Sequence, residues 1–291
     1  MGNLHLSGIL PAILTPLHED ETLNEKAFEA LIEHLYTEGV DGIYVCGNTG
    51  EGLLLPPDLR ERATEIAVRH SPQGKQVIVH TGAHNARDAI RLTEHASRTG
   101  VAAVSALPPG AGYSFIETKS YYETLAKASA NAPLLIYFFP SMAPPMSIDQ
   151  IEILCDIPNV AGLKFTSFDF YTMRQLRLRG SVVFNGPDEM LAAGLLLGAH
   201  GGIGTTYNVM PKLFLDLYQH ARANRWPEAV AVQDRINRLI RILLSVPTIP
   251  AVKQIMTWRG IPCGPAAGPR RGLTGDEASW LRTQLEQWEA S

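Results

Sequence analysis

The sequence predicts an α/β fold, a (β/α)8 TIM barrel with a C-terminal helical appendage, and three observations predict it. Short β-rich runs alternate with helix-length segments eight times within residues 1–224. Several runs (LLIYFF, AGLKF, SVVFN) are nearly continuous in apolar residues, as strands of a parallel sheet are when both faces are buried. A doubly wound open sheet normally carries a Gly-rich nucleotide fingerprint after its first strand, but here ILTPLHED follows. Eight βα units without that fingerprint favour closure into a barrel.

The expected strands are 9–14, Gly42–Val45, 77–81, Ala103–Ala106, Leu134–Phe138, 161–165, Val182–Asn185 and 201–203, spaced roughly 20–35 residues apart as βα units are. Between them, Phe28, Leu31, Ile32, Leu35 and Tyr36 follow the i, i+3, i+4, i+7 rule of an amphipathic helix. Capping boxes are expected at Thr22…Glu25, Ser114…Glu117 and Ser147…Gln150, where hydroxyl and carboxylate or amide satisfy orphan N–H groups reciprocally. Segments 56–70, 85–99, 169–178, 189–197 and 211–224 complete the helices. Beyond Asn224 the pattern is helical only. Ala229, Val232, Ile236, Leu239, Ile240 and Leu243 form one apolar face, Pro247 and Pro250 break it, and 251–259 resumes it. The loop PCGPAAGPRRG follows, and Thr274…Glu277 caps a last helix. The chain of 291 residues could make two domains at about 150 residues each. The pattern favours a barrel domain, 1–224, with 225–291 packed on it.

Composition narrows the function. The 25 basic and 29 acidic residues give a net charge of −4 without long like-charge runs, which offers no footprint for nucleic acid or an anionic membrane. No apolar run approaches the roughly 18 residues of a membrane span. The N-terminal MGNLHLSGILPAILTP lacks a basic leader region and is interrupted by Pro11 and Pro16, unlike a signal peptide. Cys46, Cys155 and Cys263 are widely separated and odd in number, which fits a reducing cytoplasm. Of the basic residues 18 are Arg and only 7 are Lys, so each lysine merits inspection.

A TIM barrel builds its active site at the C-terminal ends of its strands. Lys164 lies at such an end, in AGLKFT between Leu163 and Phe165. Desolvation there would lower its pKa toward the neutral nucleophilic amine that Schiff-base formation needs. The alternative is an ammonium that snorkels out over the rim. The other six lysines fall on helices or loops. Tyr137, at the end of the preceding strand, can face Lys164 and relay a proton, or can be an ordinary core tyrosine. In GNTGE (47–51), the turn amides with Asn48 and Thr49 can bind a carboxylate, or form a plain βα turn. GGIG (201–204) can hold a phosphate or admit close backbone approach. His80 and His84 sit on strand and loop, with no HEXXH or HxH, so no metal is expected. Walker, GxGxxG and GxSxG motifs are also absent.

In order and spacing, these positions resemble the dihydrodipicolinate synthase / N-acetylneuraminate lyase family of Schiff-base aldolases, from about Gly8 to the C-terminal helices. GNTGE resembles the family's carboxylate loop, Tyr137 with Pro140 its Y-x-x-P, and GLKFTS its Schiff-base strand. The resemblance implies Lys164 and Tyr137 as catalytic residues. It implies Asn48, Thr49, Thr166, Gly186, Asp188, Glu189 and Thr205 as substrate contacts, with no cofactor. NGPDEMLAAGLLLGAHGGIGTTYN (185–208) is closer to the lyase branch, where the positions of Gly186, Asp188, Glu189 and Thr205 contact a sugar acid's hydroxylated tail. Synthases usually carry an arginine two residues after the Y-x-x-P proline; here Met142 stands there. Two departures shorten or alter the family's proton relay. Asn48 replaces a hydroxyl residue, and Gly110 and Ala111 stand where an aromatic pair would, leaving Tyr113 as the only local substitute.

The expected enzyme is a cytoplasmic lyase or aldolase making or breaking a bond next to pyruvate in a 2-oxo sugar acid. By resemblance it is a homotetramer. Alternatives within the family are a 2-keto-3-deoxy sugar acid aldolase or dehydratase and a dihydrodipicolinate synthase. A non-catalytic barrel that binds a 2-oxo acid is a further one.

Overall fold

The computed structural model describes residues 6–290; the first five residues of the N-terminal segment read above lie outside them. The strands are β1 (Gly8–Pro11), β2 (Gly42–Val45), β3 (Gln76–His80), β4 (Ala103–Ala106), β5 (Leu134–Phe138), β6 (Val160–Phe165), β7 (Val182–Asn185) and β8 (Gly201–Gly204). All pair in parallel in the order β1-β8-β7-β6-β5-β4-β3-β2. The ring closes through a parallel bridge between Ala12 and Tyr44. The helices between strands are α1 (Glu25–Thr37), α2 (Pro57–His70), α3 (Ala86–Arg98), α4 (Phe115–Ala128), α5 (Ile148–Cys155), α6 (Phe170–Leu178) and α7 (Leu191–Leu196), with α8 (Pro211–Arg222) following β8. The fold is a TIM barrel.

Side-chain alternation along each strand separates two cores. Leu10, Tyr44, Ile78, Leu135, Tyr137 and Phe184 point into the barrel. Ile9, Ile43, Val79, Ile136, Leu163 and Val183 point outward under the helices. Both faces are dry, which is why the strands read as unbroken apolar runs.

Several elements differ from expectation. β1 is Gly8–Pro11 rather than 9–14, because β8 ends at Gly204 and β1 then has no partner on that side. The box at Thr22…Glu25 does not form. Asn24 caps α1 instead, accepting from Ala27 N, since an asparagine one residue before the helix competes directly for the same amides. The boxes at Ser114, Ser147 and Thr274 form as expected. The segment 189–197 divides into a 3-10 turn, Asp188–Met190, and the short α7.

Three further helices follow the barrel: α9 (Trp226–Leu243), α10 (Thr248–Trp258) and α11 (Gly275–Glu289). Pro250 does not break a helix. It lies in the first turn of α10, where an absent N–H leaves no hydrogen bond unmade. α9 buries Ala229, Ile236, Leu239, Ile240 and Leu243, the face its periodicity predicts. Among the described residues no single helix is long and apolar enough to cross a membrane; only α9 and α10 together reach that length, bent by 107°.

Candidate active site

β5 and β6 pair with Tyr137 opposite Lys164, so the barrel register brings the two candidate catalytic residues together. Lys164 is 4% exposed. Its Nζ lies 4.0 Å from the centroid of the Tyr137 ring and 4.3 Å from that of Tyr44. Burial drives its pKa down to about 7, against a smaller opposing pull from the Asp188 charge. The dehydration does not come from Leu163 and Phe165. Alternation turns both outward into the helix layer, and the aromatic walls inside the barrel do the work. Tyr44 was not among the candidates, although its place at an inward position of GIYV is readable from the two-residue period. Its hydroxyl donates to Ser105 Oγ at 3.1 Å, which leaves the ring face for Lys164.

Tyr137 is buried, and burial raises its pKa, opposed by the Thr166 hydroxyl. The phenol is therefore protonated at neutral pH and can donate. His80 stands edge-on to the Tyr137 ring at 5.9 Å. Leu107 N–H donates to His80 Nε2 at 3.1 Å, so Nδ1 carries the proton and donates to Cys46 O at 3.1 Å. Burial and the neighbouring Arg60 and Lys164 charges hold His80 well below the usual histidine range. A neutral His80 thus ties β3, β4 and the start of GNTGE together, while His84 is exposed on the loop. The two histidines do not converge. Among the described residues no cluster of His, Cys, Asp or Glu could hold a metal.

The residues expected to meet a substrate tail, Gly186, Asp188, Glu189 and Thr205, line one cavity of about 330 Å³ with Phe139 and Thr166. Asp188 Oδ2 accepts from Thr206 N at 2.7 Å and from Thr206 Oγ1 at 2.6 Å. Burial still raises its pKa to about 6, with those bonds opposing. Thr206 was not a candidate; an acid buried beside a strand end needs such a donor, but which residue supplies it depends on the turn. Two glycines make room. A Cβ on Gly186 would stand 2.1 Å from Thr166 Oγ1, and one on Gly204 would stand 2.0 Å from Asp188 Oδ1. GGIG therefore serves close packing, since Gly201 and Gly202 likewise face Gly8 O and Tyr207 with no space for a side chain.

Asn48 and Thr205 line an adjoining cavity of about 410 Å³ with Thr248 and Arg270. Thr49 Oγ1 and Thr205 Oγ1 are hydrogen-bonded at 2.7 Å. Two residues taken for opposite ends of the substrate thus touch, and the two cavities meet at Thr205. Within the 47–51 turn, Glu51 N and Gly52 N are bonded to Asn48 O and Gly47 O, whereas the amides of Asn48, Thr49 and Gly50 donate to no acceptor among the described residues. Tyr113 is 42% exposed and makes no contact with Tyr137. Met142 packs against the barrel-interior cluster, an apolar thioether with no capacity to bind a carboxylate.

The appendage reaches both cavities. From α9, Gln233 Nε2 donates to Asp188 O at 3.1 Å and Asn237 Nδ2 to Glu189 O at 3.2 Å. From α10, Lys253 Nζ pairs with Glu51 Oε2 at 2.7 Å, both side chains being almost fully buried. The six lysines other than Lys164 were read as lying on helices or loops. Lys253 is helical, but it is as deeply buried as Lys164 and differs in having a carboxylate partner. Ala267 N also donates to Glu51 Oε1 at 3.0 Å. Substitution Glu51→Gln should cost ~3–5 kcal/mol of stability, because it strands the Lys253 charge in a dry site. Urea unfolding checks this, and a loss under ~1 kcal/mol would mean the pair does not anchor the loop.

A buried lysine with a lowered pKa, a buried phenol and a two-part polar cavity at strand ends suit capture and cleavage of a 2-oxo acid. The match to known proteins agrees, as the model of the Dihydrodipicolinate synthetase family covers residues 5–288. The chain belongs to the dihydrodipicolinate synthetase family. Relatives within the family include N-acetylneuraminate lyases. The one from Rhizobium meliloti (strain 1021) is 38% identical over 284 residues, 96% of this chain and 94% of that protein. The one from Escherichia coli (strain SMS-3-5 / SECEC) is 31% identical over 261 residues, 88% of each chain. The structure of CdNal from Clostridium difficile, in complex with mannosamine, aligns with a TM-score of 0.93 at 29% identity, covering 97% of this chain and 99% of that one. This member of the dihydrodipicolinate synthetase family is a Schiff-base-forming, N-acetylneuraminate lyase-like class I aldolase.

Proposed function

We propose that the chain splits, or in reverse joins, pyruvate and an amino-sugar aldehyde, with Lys164 as the Schiff-base residue. The observation that carries this is the burial of Lys164 at a strand end, with Nζ held between the Tyr137 and Tyr44 rings. That burial lowers its pKa to about 7, toward the free amine. Lys164 Nζ attacks the C2 ketone and water leaves, forming an iminium ion. Removal of the C4 hydroxyl proton sends the C3–C4 electron pair to the iminium nitrogen, releasing the aldehyde and leaving an enamine. The enamine takes a proton at C3, and water then frees pyruvate and the amine. Tyr137, one strand away, moves the proton. The unbonded amides of residues 48–50 with Thr49 hold the carboxylate and fix the ketone against the amine. Asp188, Glu189, Thr205 and Thr166 receive the hydroxylated tail, where a substrate lacking hydroxyls would leave buried acceptors unpaired. Lyase relatives and a mannosamine-bound neighbour support an amino sugar as the aldehyde. Met142 opposes the synthase reading.

A second reading, cleavage or dehydration of a 2-keto-3-deoxy sugar acid, is favoured by one feature. Among the described residues no tyrosine of the 107–113 loop makes a ring contact with Tyr137, and Asn48 lacks the hydroxyl that would extend a relay. Pyruvate release from a panel of neuraminate and keto-deoxy sugar acids separates the two. Turnover of neuraminate at least about tenfold faster, in kcat/KM, is expected, and the reverse order would transfer the assignment. On family resemblance and three free cysteines, the working assembly is a cytoplasmic homotetramer in which residues 225–291 extend the barrel of 1–224.

A further inference from the structure

Arg270 reaches the carboxylate turn from the C-terminal loop, over 222 residues of sequence, and its Nη2 lies 3.4 Å from Asn48 Oδ1. A guanidinium has donors only, so the amide atom facing it must be the oxygen. The Asn48 Nδ2 group is thereby turned the other way, and among the described residues it has no protein acceptor. Arg270 is itself held, with Nε 3.6 Å from Glu51 Oε1. Glu51 also faces Lys253. One carboxylate thus meets two cations, and one positive charge is left uncompensated at the rim of the cavity that Asn48, Thr205 and Arg270 share. An unbonded amide and three free backbone N–H groups lie within one turn, and a surplus positive charge reaches that turn from the C-terminal loop. A carboxylate supplies the acceptor and the charge that all three lack.

We propose that Arg270 is a positioning residue for the 2-oxo acid: it locks Asn48 with its amide N–H groups aimed at the substrate carboxylate. This rests on the reading of residues 47–51 as the carboxylate turn. In a chain where asparagine replaces the hydroxyl residue, the amide can rotate and offer its oxygen to the anion. Arg270 removes that option. The replacement and the arginine therefore act as a pair.

The test is a double-mutant cycle on pyruvate capture, with borohydride trapping at Lys164 followed against pyruvate concentration. Arg270→Ala should raise the half-saturating pyruvate concentration about tenfold while the limiting trapping rate stays within about twofold. In an Asn48→Ser background, where no amide needs orienting, the same change should cost only about threefold or less, the share that belongs to the lost charge. An equal loss in both backgrounds would overturn the proposal, because Arg270 would then act as a prop or as a charge alone. No loss in either would overturn it as well. Arg270→Met keeps the side-chain length and repeats the cycle if the alanine variant misfolds. Thr49→Ala tests the underlying reading separately. Unchanged pyruvate saturation in that variant would remove the carboxylate turn itself, and the proposal with it, whereas a weakened Thr49→Ala beside an uncoupled Arg270 would remove only the proposal.

Discussion

Lys164→Ala is expected to abolish covalent capture of pyruvate and to lower lyase turnover by at least ~10³-fold, the scale on which covalent enzymes lose activity without their nucleophile. No other lysine can substitute. Lys253, equally buried, is ion-paired with Glu51, and the remaining lysines lie on helices or loops outside the barrel. Mass spectrometry after borohydride reduction with pyruvate reads the result directly: an adduct on the wild-type chain and none on the variant. An adduct that persists in folded Lys164→Ala protein would refute the assignment. The same measurement has a pH dependence of known sign. The group is lowered to about 7 by burial, so the free amine is dominant above that value and falls about tenfold per pH unit below it. Trapping at pH 5 should be about a hundredfold slower than at pH 8. A profile flat down to pH 5 or still rising steeply above pH 9 would show that the aromatic walls do not set the titration.

Tyr137→Phe is the second large effect. It removes one hydroxyl from a ring whose packing against Tyr44, His80 and Phe139 should be retained, so the change is chemical rather than structural. Loss of the proton-transfer group should lower kcat by about 10²–10⁴ with little change in thermal stability. The ring face that desolvates Lys164 survives, so pyruvate trapping should fall far less than the cleavage of a full-length sugar acid. Equal losses in trapping and cleavage would place the phenol in imine formation alone. A loss under about threefold in both would deny it a proton-transfer role.

The fold was legible because barrel strands announce themselves twice, through apolar runs and through regular spacing. Lys164 and Tyr137 were legible for a related reason: strand ends can be counted, and parallel register then sets neighbours side by side. What could not be counted was contact between segments distant in sequence. Thr206 supports Asp188 through a turn whose shape no local pattern announces. Gln233, Asn237 and Lys253 look like unremarkable polar positions of amphipathic helices, and only the packing angle of α9 and α10 aims them at loops. Leu163 and Phe165 illustrate the opposite error. Adjacency in sequence suggested that they dehydrate Lys164, but in a strand adjacent residues face opposite ways, and Tyr44 from across the barrel takes that role. Thr49 was assigned to the carboxylate by its motif and Thr205 to the hydroxylated tail by family resemblance, yet the two share a hydrogen bond.

The tie of Glu51 to Lys253 and Ala267 has a consequence for biosynthesis. Glu51 lies 216 residues upstream of Ala267, whose amide it accepts, and its buried charge waits for Lys253 as well. A ribosome emits residues from the N-terminus at about 5–20 per second, so the 47–51 turn lacks these partners for at least about ten seconds after its own strand has emerged. Barrel strands can pair during that interval, but the mouth is complete only when α10 and the loop at Ala267 dock. A chain that stopped before α10 would carry Lys164 and Tyr137 in a barrel whose mouth lacked Lys253 and Ala267.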